Sequence, residues 1–285
     1  MRSVDVEKSK KKRFRKRSLY ARFVVGGDYL PLFKGLIKAL KDGIYDEIPL
    51  TVSHEGLRIT YMDPSRVMMA DVVLGSYCFY EYEVSSLSDI PIAELPKTVV
   101  VYADDILYAL NDIKGMDVSF EVKAVFREED ELTLDKPRTL TISAGSEVYD
   151  FDLIEVREDL PPVPKIDFHA KVTVVLKDFI KKIKKLSKRY NEAVFTAKDK
   201  SFTILSKGDT STGKLVLSNG SDMLINLEAD GEQKAIYSIN NLLAVLPNLG
   251  EIATLEFASD LPLKTSIKTG IDAQIDFYLA PRIID

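Results

Sequence analysis

The second half of this 285-residue sequence repeats the layout of the first, so any fold it adopts must use one design twice. In DYLPLFKGLIKALKDG (28–43), Tyr29, Phe33, Leu36, Ile37 and Leu40 recur at helical spacing and form an apolar arc, with Lys34, Lys38 and Lys41 opposite. In LKDFIKKIKKLSKRY (176–190), Leu176, Phe179, Ile180, Ile183, Leu186 and Tyr190 form the apolar arc. Lys177, Lys181, Lys184, Lys185 and Lys188 lie opposite, flanked by Lys182 and Arg189. The two helices stand about 145 residues apart, and each precedes a strand–turn–strand pattern, 50–62 and 191–206. A second matched pair, YADDILYALNDIKG (102–115) and YSINNLLAVLPNLG (237–250), predicts short apolar helices, each followed by an alternating strand. Between the halves, the Pro- and acid-rich EVREDLPPVPKIDF (155–168) fits neither helix interior nor central strand and reads as a linker.

Charge is unevenly spread. The chain carries a formal −5, yet seven Lys and Arg crowd into residues 176–190 and eight into KSKKKRFRKR (8–17). Like charges at i,i+4 repel by a few tenths of a kcal/mol each, and almost no acid is mixed into the later helix to relieve them. A phosphate backbone would relieve them, so the lysine stripe is read as facing a polyanion rather than as an idle solvated surface. The basic start cannot bury a core and reads as a disordered tail.

Apolar residues at 46% allow a sizeable core. The single cysteine, Cys78, forms no intrachain disulfide, and no apolar run has membrane-spanning length. The first 18 residues are too basic for a signal peptide. A soluble intracellular protein with no membrane partner is expected. GDTSTGKL (208–215) has the glycine and lysine spacing of a phosphate-binding loop, but Leu215 stands where Ser or Thr must hold magnesium, and a strand follows instead of a helix. His54 and His169 have no ligand-rich surroundings in sequence, and REEDE (127–131) lacks the spacing of a calcium loop. No catalytic residue, metal or cofactor is expected.

The strands EVYDFDLI (147–154) and KLVLS (214–218) sit at the outer reach of each half. Unpaired edges invite another chain, and one edge from each half would close a head-to-tail ring with the helices inside. The competing reading is a sequence-independent DNA-binding protein that forms no ring and uses its basic helix and tail.

GLRITYMDPSRVMMADVVL (56–74), with MDPSRV at its centre, closely resembles the archaeal form of the DNA polymerase sliding clamp, the proliferating cell nuclear antigen family. LEFASDLPLKTSI (255–267) and DFYLAPRIID (276–285) are similar to that family's last strands and tail, and LIEVREDLPPVP (153–164) stands where it has its interdomain connector. The resemblance runs from Leu19 to Asp285. It implies an α+β fold of two similar DNA-clamp domains, 19–153 and 165–285, each with two helices packed on antiparallel sheets. Residues 154–164 would be the connector and 1–18 a tail the family lacks. It further implies a trimeric ring of six domains that encircles duplex DNA without reading its sequence. The ring would be placed by a clamp loader and would tether polymerase, ligase and nuclease through a short peptide motif, without catalysis of its own. A homotrimer and a heterotrimer of paralogues both remain open. The second helix of each half carries no base, whereas family clamps usually spread bases over all four. The location implied is the archaeal cytoplasm and nucleoid, or the nucleus if the source is a eukaryote.

Carried over position by position, the resemblance gives DNA contact to Lys34, Lys38, Lys41, Lys177, Lys181, Lys184, Lys185 and Lys188. It gives the peptide pocket to Val67 and Met69, to Leu160, Pro161 and Val163 of the connector, and to Pro262, Tyr278, Ala280 and Ile283. It gives the subunit interface to Val148, Tyr149, Phe151 and Leu153 on one side and Lys214, Leu215, Val216 and Leu217 on the other.

Overall fold

A computed structural model describes residues 16–127, 130–156, 160–218 and 220–282. The first half runs β1 (Lys16–Val25), α1 (Leu30–Gly43), β2 (Glu47–Val52), β3 (Gly56–Met62), β4 (Met68–Gly75), β5 (Glu81–Ser85), β6 (Lys97–Tyr102), α2 (Ala103–Ala109), β7 (Val118–Arg127), β8 (Asp130–Ala144) and β9 (Glu147–Asp152). The second runs β10 (Ala170–Val175), α3 (Leu176–Ser187), β11 (Glu192–Lys198), β12 (Ser201–Lys207), β13 (Thr212–Ser218), β14 (Leu224–Ala229), β15 (Gln233–Ser238), α4 (Ile239–Ala244), β16 (Ile252–Phe257), β17 (Leu263–Lys268) and β18 (Ala273–Leu279). Among the described residues the order of strands and helices is the same in both, and a turn of 3-10 helix, Ser76–Cys78, interrupts the first.

The repeat does not produce two separate sheet sets. A five-stranded sheet β5-β1-β7-β8-β9 and a four-stranded sheet β13-β12-β11-β15 flank a nine-stranded sheet, β14-β10-β16-β17-β18-β4-β3-β2-β6. The nine-stranded sheet takes strands from both halves because β18, the last strand, pairs antiparallel with β4 from Ala273↔Leu74 to Leu279↔Met68. Alternation then sorts its two faces. Leu57 and Ile59 point inward among Phe33 and Ile37 of α1 and Ile106 of α2. Arg58 and Thr60 point outward beside the connector residues Leu160–Val163. Helices and connector therefore lie on opposite faces of one sheet.

Both amphipathic helices bury the arcs their spacing predicts, with small corrections. In α1, Phe33, Leu36, Ile37 and Leu40 are buried, but Tyr29 is the exposed cap residue, because Pro31 sets the first turn just after it. In α3, Leu176, Phe179, Ile180 and Ile183 are buried. The helix ends at Ser187 rather than running to Tyr190, whose backbone N–H closes on the Leu186 carbonyl at 3.0 Å. The second helices are shorter than the predicted segments. The tail boundary also moves: Lys16, Arg17 and Ser18 pair with β7 inside β1, Ser18 is fully buried, and its hydroxyl donates to the Ile90 carbonyl at 3.0 Å. The rest of the expected tail, and Glu128 and Glu129 of the acidic turn, lie outside the described residues.

α1 packs against both α2 and α4, and α3 packs against α4, so the four helices form one row, α2-α1-α4-α3, across the halves. The α1–α4 contact is close because Gly43 lacks a side chain. A Cβ there would stand 3.2 Å from the Ala244 carbonyl oxygen and 3.5 Å from its Cβ. Replacing Gly43 with Leu should wedge the halves apart and cost about 1–3 kcal/mol, as overpacking of a filled site does. In urea unfolding this reads as a lower midpoint with an unchanged slope.

Candidate DNA-facing helices and outer groove

The stripe on α3 is solvated as the spacing predicts: Lys177, Lys181, Lys184, Lys185 and Lys188 are all exposed. Lys181 pairs with Asp178 at 2.9 Å, which also draws the Asp178 carboxyl below its ordinary pKa. Among the described residues, Lys177, Lys184, Lys185 and Lys188 enter no ion pair, so their charge projects outward. The α1 lysines divide. Lys38 is exposed, whereas Lys34 and Lys41 tie α1 to its neighbour. The Lys34 ammonium donates to the Leu110 and Asn111 carbonyls at 2.7 Å each, satisfying acceptors past the C-terminal end of α2. Lys41 is hydrogen-bonded to Asp104 in the first turn of α2, which raises the pKa of its ammonium. The sequence shows these lysines on the polar arc, but not that acidic α2 lies within their reach.

On the opposite face, the turn MDPSRV is built around Asp63. Its carboxylate accepts the backbone N–H of Val67 at 2.7 Å, of Met68 at 2.5 Å and of Ser65 at 3.2 Å, and this supports Arg66 at φ 59°. The turn ends against the C-terminal segment, where the Ala280 N–H donates to the Val67 carbonyl at 2.8 Å. Two motifs more than 200 residues apart in sequence thus touch. From there a row crosses the outer face, Met62 opposite Met69 and Met69 opposite Tyr278. Pro262 precedes Leu263, which pairs with Leu279 one residue before Ala280. The structure therefore brings Val67, Met69, Pro262, Tyr278 and Ala280 together. Met69 is only 2% exposed and Tyr278 only 7%, so they form a floor rather than open walls. Ile283 lies outside the described residues.

The connector stands beside this floor and edges two grooves. In one, Leu160, Pro161 and Val163 face Arg58, Thr60 and Val73. In the other, Leu160 and Pro161 face Tyr45, Tyr61 and Met62. Sequence reading missed Tyr45, Arg58, Thr60, Met62 and Val73. For Arg58, Thr60, Met62 and Val73 the only signal was outward parity on strands whose alternate residues are apolar; Tyr45 lies in the link between α1 and β2 and gave none.

A polar seam runs along the same face where the halves meet. Asp71 and Asp276 stand directly opposite each other, both buried. Arg58 meets Asp71 with two hydrogen bonds, at 2.8 and 3.0 Å, and Thr60 donates to it at 2.8 Å. Ser266 and Gln274 donate to Asp276 at 2.6 and 2.8 Å, and Lys264 pairs with it at 3.2 Å. Burial works against the Lys264 ammonium, but Asp276 and Glu256 outweigh it and raise its pKa. Each carboxylate thus has its own cation, which lets two like charges face one another.

The edge-strand residues lie where the layout predicts: β9 closes the five-stranded sheet and β13 the four-stranded sheet. Val148, Lys214 and Val216 are exposed, and Tyr149, Phe151 and Leu215 are half-buried. Leu153 and Leu217 are 2% and 1% exposed. Expected at the interface, their side chains instead point into their own core, as strand alternation requires of odd-numbered positions here. The phosphate-loop look-alike is the β12–β13 hairpin, with Lys214 in a strand. Among the described residues no helix is long and apolar enough to cross a membrane.

No protein-family model matches the chain. The chain is 28% identical over 251 residues to a DNA polymerase sliding clamp of Thermococcus gammatolerans, covering 86% of this chain and 92% of that one. It is 29% identical over 243 residues to one from Pyrococcus abyssi, covering 84% and 90%. Its fold matches PCNA from Thermococcus kodakaraensis with a TM-score of 0.76 at 21% identity, over 92% of this chain and all of that one. It matches A. fulgidus PCNA bound to the C-terminal region of FEN-1 with a TM-score of 0.73 at 23% identity, over 93% and 99%. A chain of the PCNA2-PCNA3 complex from Sulfolobus tokodaii gives 0.73 at 21%, over 92% and 99%.

The seam makes a stability test. Removing the Asp71 carboxylate by Asp71→Ala leaves Thr60 and Arg58 without their acceptor and should cost about 1–3 kcal/mol, with Asp276 left facing the gap. Thermal melting reads the loss, and Asp71→Asn should recover part of it by keeping an acceptor oxygen.

Proposed function

We infer that this chain is a subunit of a DNA polymerase sliding clamp, a processivity factor that encircles duplex DNA and tethers replication and repair enzymes. Its homologues carry that name over most of both chains, and its fold is that of the PCNA structures. The observation that carries the reading is the division of one continuous sheet into two faces. A row of four helices, one bearing a lysine stripe in which only Lys181 is paired, covers the inner face, and grooves beside a connector cover the outer.

The mechanism follows from charge and topology. Lys38 and the α3 lysines face the DNA backbone. Lysine suits this role because it is a mobile point charge with no bidentate preference for a base, so phosphate contacts position the ring without fixing it on a sequence. Lys34 and Lys41 act first on the helix pair and reach DNA second. A closed ring stays on DNA because it must open to leave, and a clamp loader supplies the opening. The grooves beside Leu160–Val163, together with the neighbouring outer-face row of Met69 and Tyr278, take an apolar peptide segment of each partner enzyme, with anchor side chains supplying most of the affinity. The chain itself is non-catalytic. Edge strands β9 and β13 join neighbouring subunits.

Two measurements test this. Clamps loaded onto circular DNA should be retained and should run off linear DNA; equal escape from both removes the clamp reading in favour of a non-ring DNA-binding protein. In the same assay, Lys181→Ala with Lys184→Ala and Lys188→Ala should flatten the dependence of log K on log salt by up to about 0.9 per lost phosphate contact. Separately, Leu160→Ala with Val163→Ala should weaken binding of a peptide from the C-terminal region of FEN-1 by about tenfold or more, the loss of a hot-spot contact, without changing the mass of the assembled clamp.

A further inference from the structure

The two halves share one helix layout, so the second half shows what the helices of the first could carry. Set level at their first residues, Leu30, Phe33 and Ile37 of α1 match Leu176, Phe179 and Ile183 of α3, all buried. The lysine stripe of α3 then has one counterpart in α1. Lys184 stands level with Lys38, but Lys177, Lys181 and Lys185 stand level with Pro31, Gly35 and Ala39, and Lys188 with Asp42. The second helices differ in the same sense. Ala103 and Ile106 of α2 match Ile239 and Leu242 of α4, all buried, which puts Asp104 and Asp105 where α4 has Asn240 and Asn241.

Residues 30–46 and 103–114 carry four lysines and five aspartates; residues 239–250 carry no charge, and residues 176–190 carry seven bases against Asp178. Two of the four lysines are already committed. Lys34 donates to the Leu110 and Asn111 carbonyls, and Lys41 is held by Asp104. That leaves Lys38 and Lys114. Among the described residues, Asp42, Asp105 and Asp112 enter no ion pair. Asp42 follows Lys38 by one turn and is exposed, and so is Asp112 just past α2. Asp105 is half-buried beside Asp104 and Asp46, and burial together with those two neighbouring charges pushes its carboxyl up. The cluster is therefore kept at a cost to the folded chain. The helix does not require that cost, since α4 takes the neutral amide of the same shape at both positions.

We propose that α2 and the end of α1 form a DNA-excluding surface, on which Asp42, Asp105 and Asp112 repel phosphate, so that the duplex rests on α3 and is held off the first half of the subunit. The inference rests on the clamp reading. Charge runs from acid to base along the row α2-α1-α4-α3, and a polyanion inside the ring settles toward the α3 end. Fewer phosphate contacts per subunit mean a weaker hold on the backbone and easier sliding, with encirclement rather than affinity keeping the ring in place.

The test is binding of the full chain to a duplex across a range of salt. Asp42→Asn with Asp105→Asn and Asp112→Asn should tighten binding about five- to tenfold at low salt, since one acid about 10 Å from a phosphate costs about a factor of two in water. The gain should fade as salt shortens the screening length. Asp42→Lys with Asp112→Lys should steepen the fall of log K with log salt by up to about 0.9 per new contact. Misfolding gives neither gain. Position is read with a photo-crosslinker on an introduced thiol, the native Cys78 being buried. Attached at Lys185→Cys it should capture DNA in both backgrounds. Attached at Tyr108→Cys, on the exposed side of α2, it should capture DNA only when the three acids are gone. Unchanged affinity without the acids, or equal capture from both positions with the acids present, overturns the proposal. If the same protein is still retained on circular DNA, the clamp reading stands while this one falls; equal escape from circular and linear DNA removes both.

Discussion

The pairing of β18 with β4 is the interaction on which the rest depends. Without it, each half would expose a sheet edge and an apolar helix flank. With it, the C-terminal strand of the chain completes a sheet begun in the first half. Ile275 meets the core around Phe33 and Leu36 of α1, and the α1–α4 contact at Gly43 closes over the junction. Hydrogen bonds fix the angle between the halves, and the apolar contact beneath them supplies most of the stabilisation. The buried carboxylates above set specificity at that seam, each held by its own cation.

Because one sheet carries both tasks, the two tasks are mechanically separate. Side chains of one parity hold the helices proposed to face DNA, and side chains of the other parity lie on the face with the connector and its grooves. Met69 and Tyr278 belong to the second set, whereas Leu57 and Ile59 belong to the first. A substitution on one face need not disturb the other, provided its volume stays on its own side.

Much of this was legible in the sequence. Helical spacing located α1 and α3 and their buried arcs, alternation located the hairpins, and the Pro-rich stretch marked the connector. MDPSRV and LAPRI pointed to one place, and the Ala280–Val67 hydrogen bond shows why: each motif terminates the other. What was not legible was tertiary. Spacing shows that Lys34 and Lys41 lie on a polar arc, but not that the carbonyls and Asp104 of α2 stand within reach. It shows that Leu153 and Leu217 belong to edge strands, but not which parity faces in. Nor does it show that β18 crosses to the other half, because strand pairing is a long-range choice that local pattern does not encode. Lys16–Ser18 illustrate the same limit: a run of charge masked the first turn of a strand whose partner, β7, lies about a hundred residues downstream in a register local pattern does not reveal.

The glycine contact at Gly43 has a consequence for how such a ring behaves under load. Inside a subunit, the two halves are joined by a sheet, a helix–helix contact without slack and the covalent chain, so bending there must break all three together. Between subunits of the proposed ring, only backbone pairing and surface side chains would resist. Strain applied to a closed circle of such units would therefore concentrate at the intermolecular seams, and the ring would part as stiff staves of a barrel do, at the joints and not through the wood.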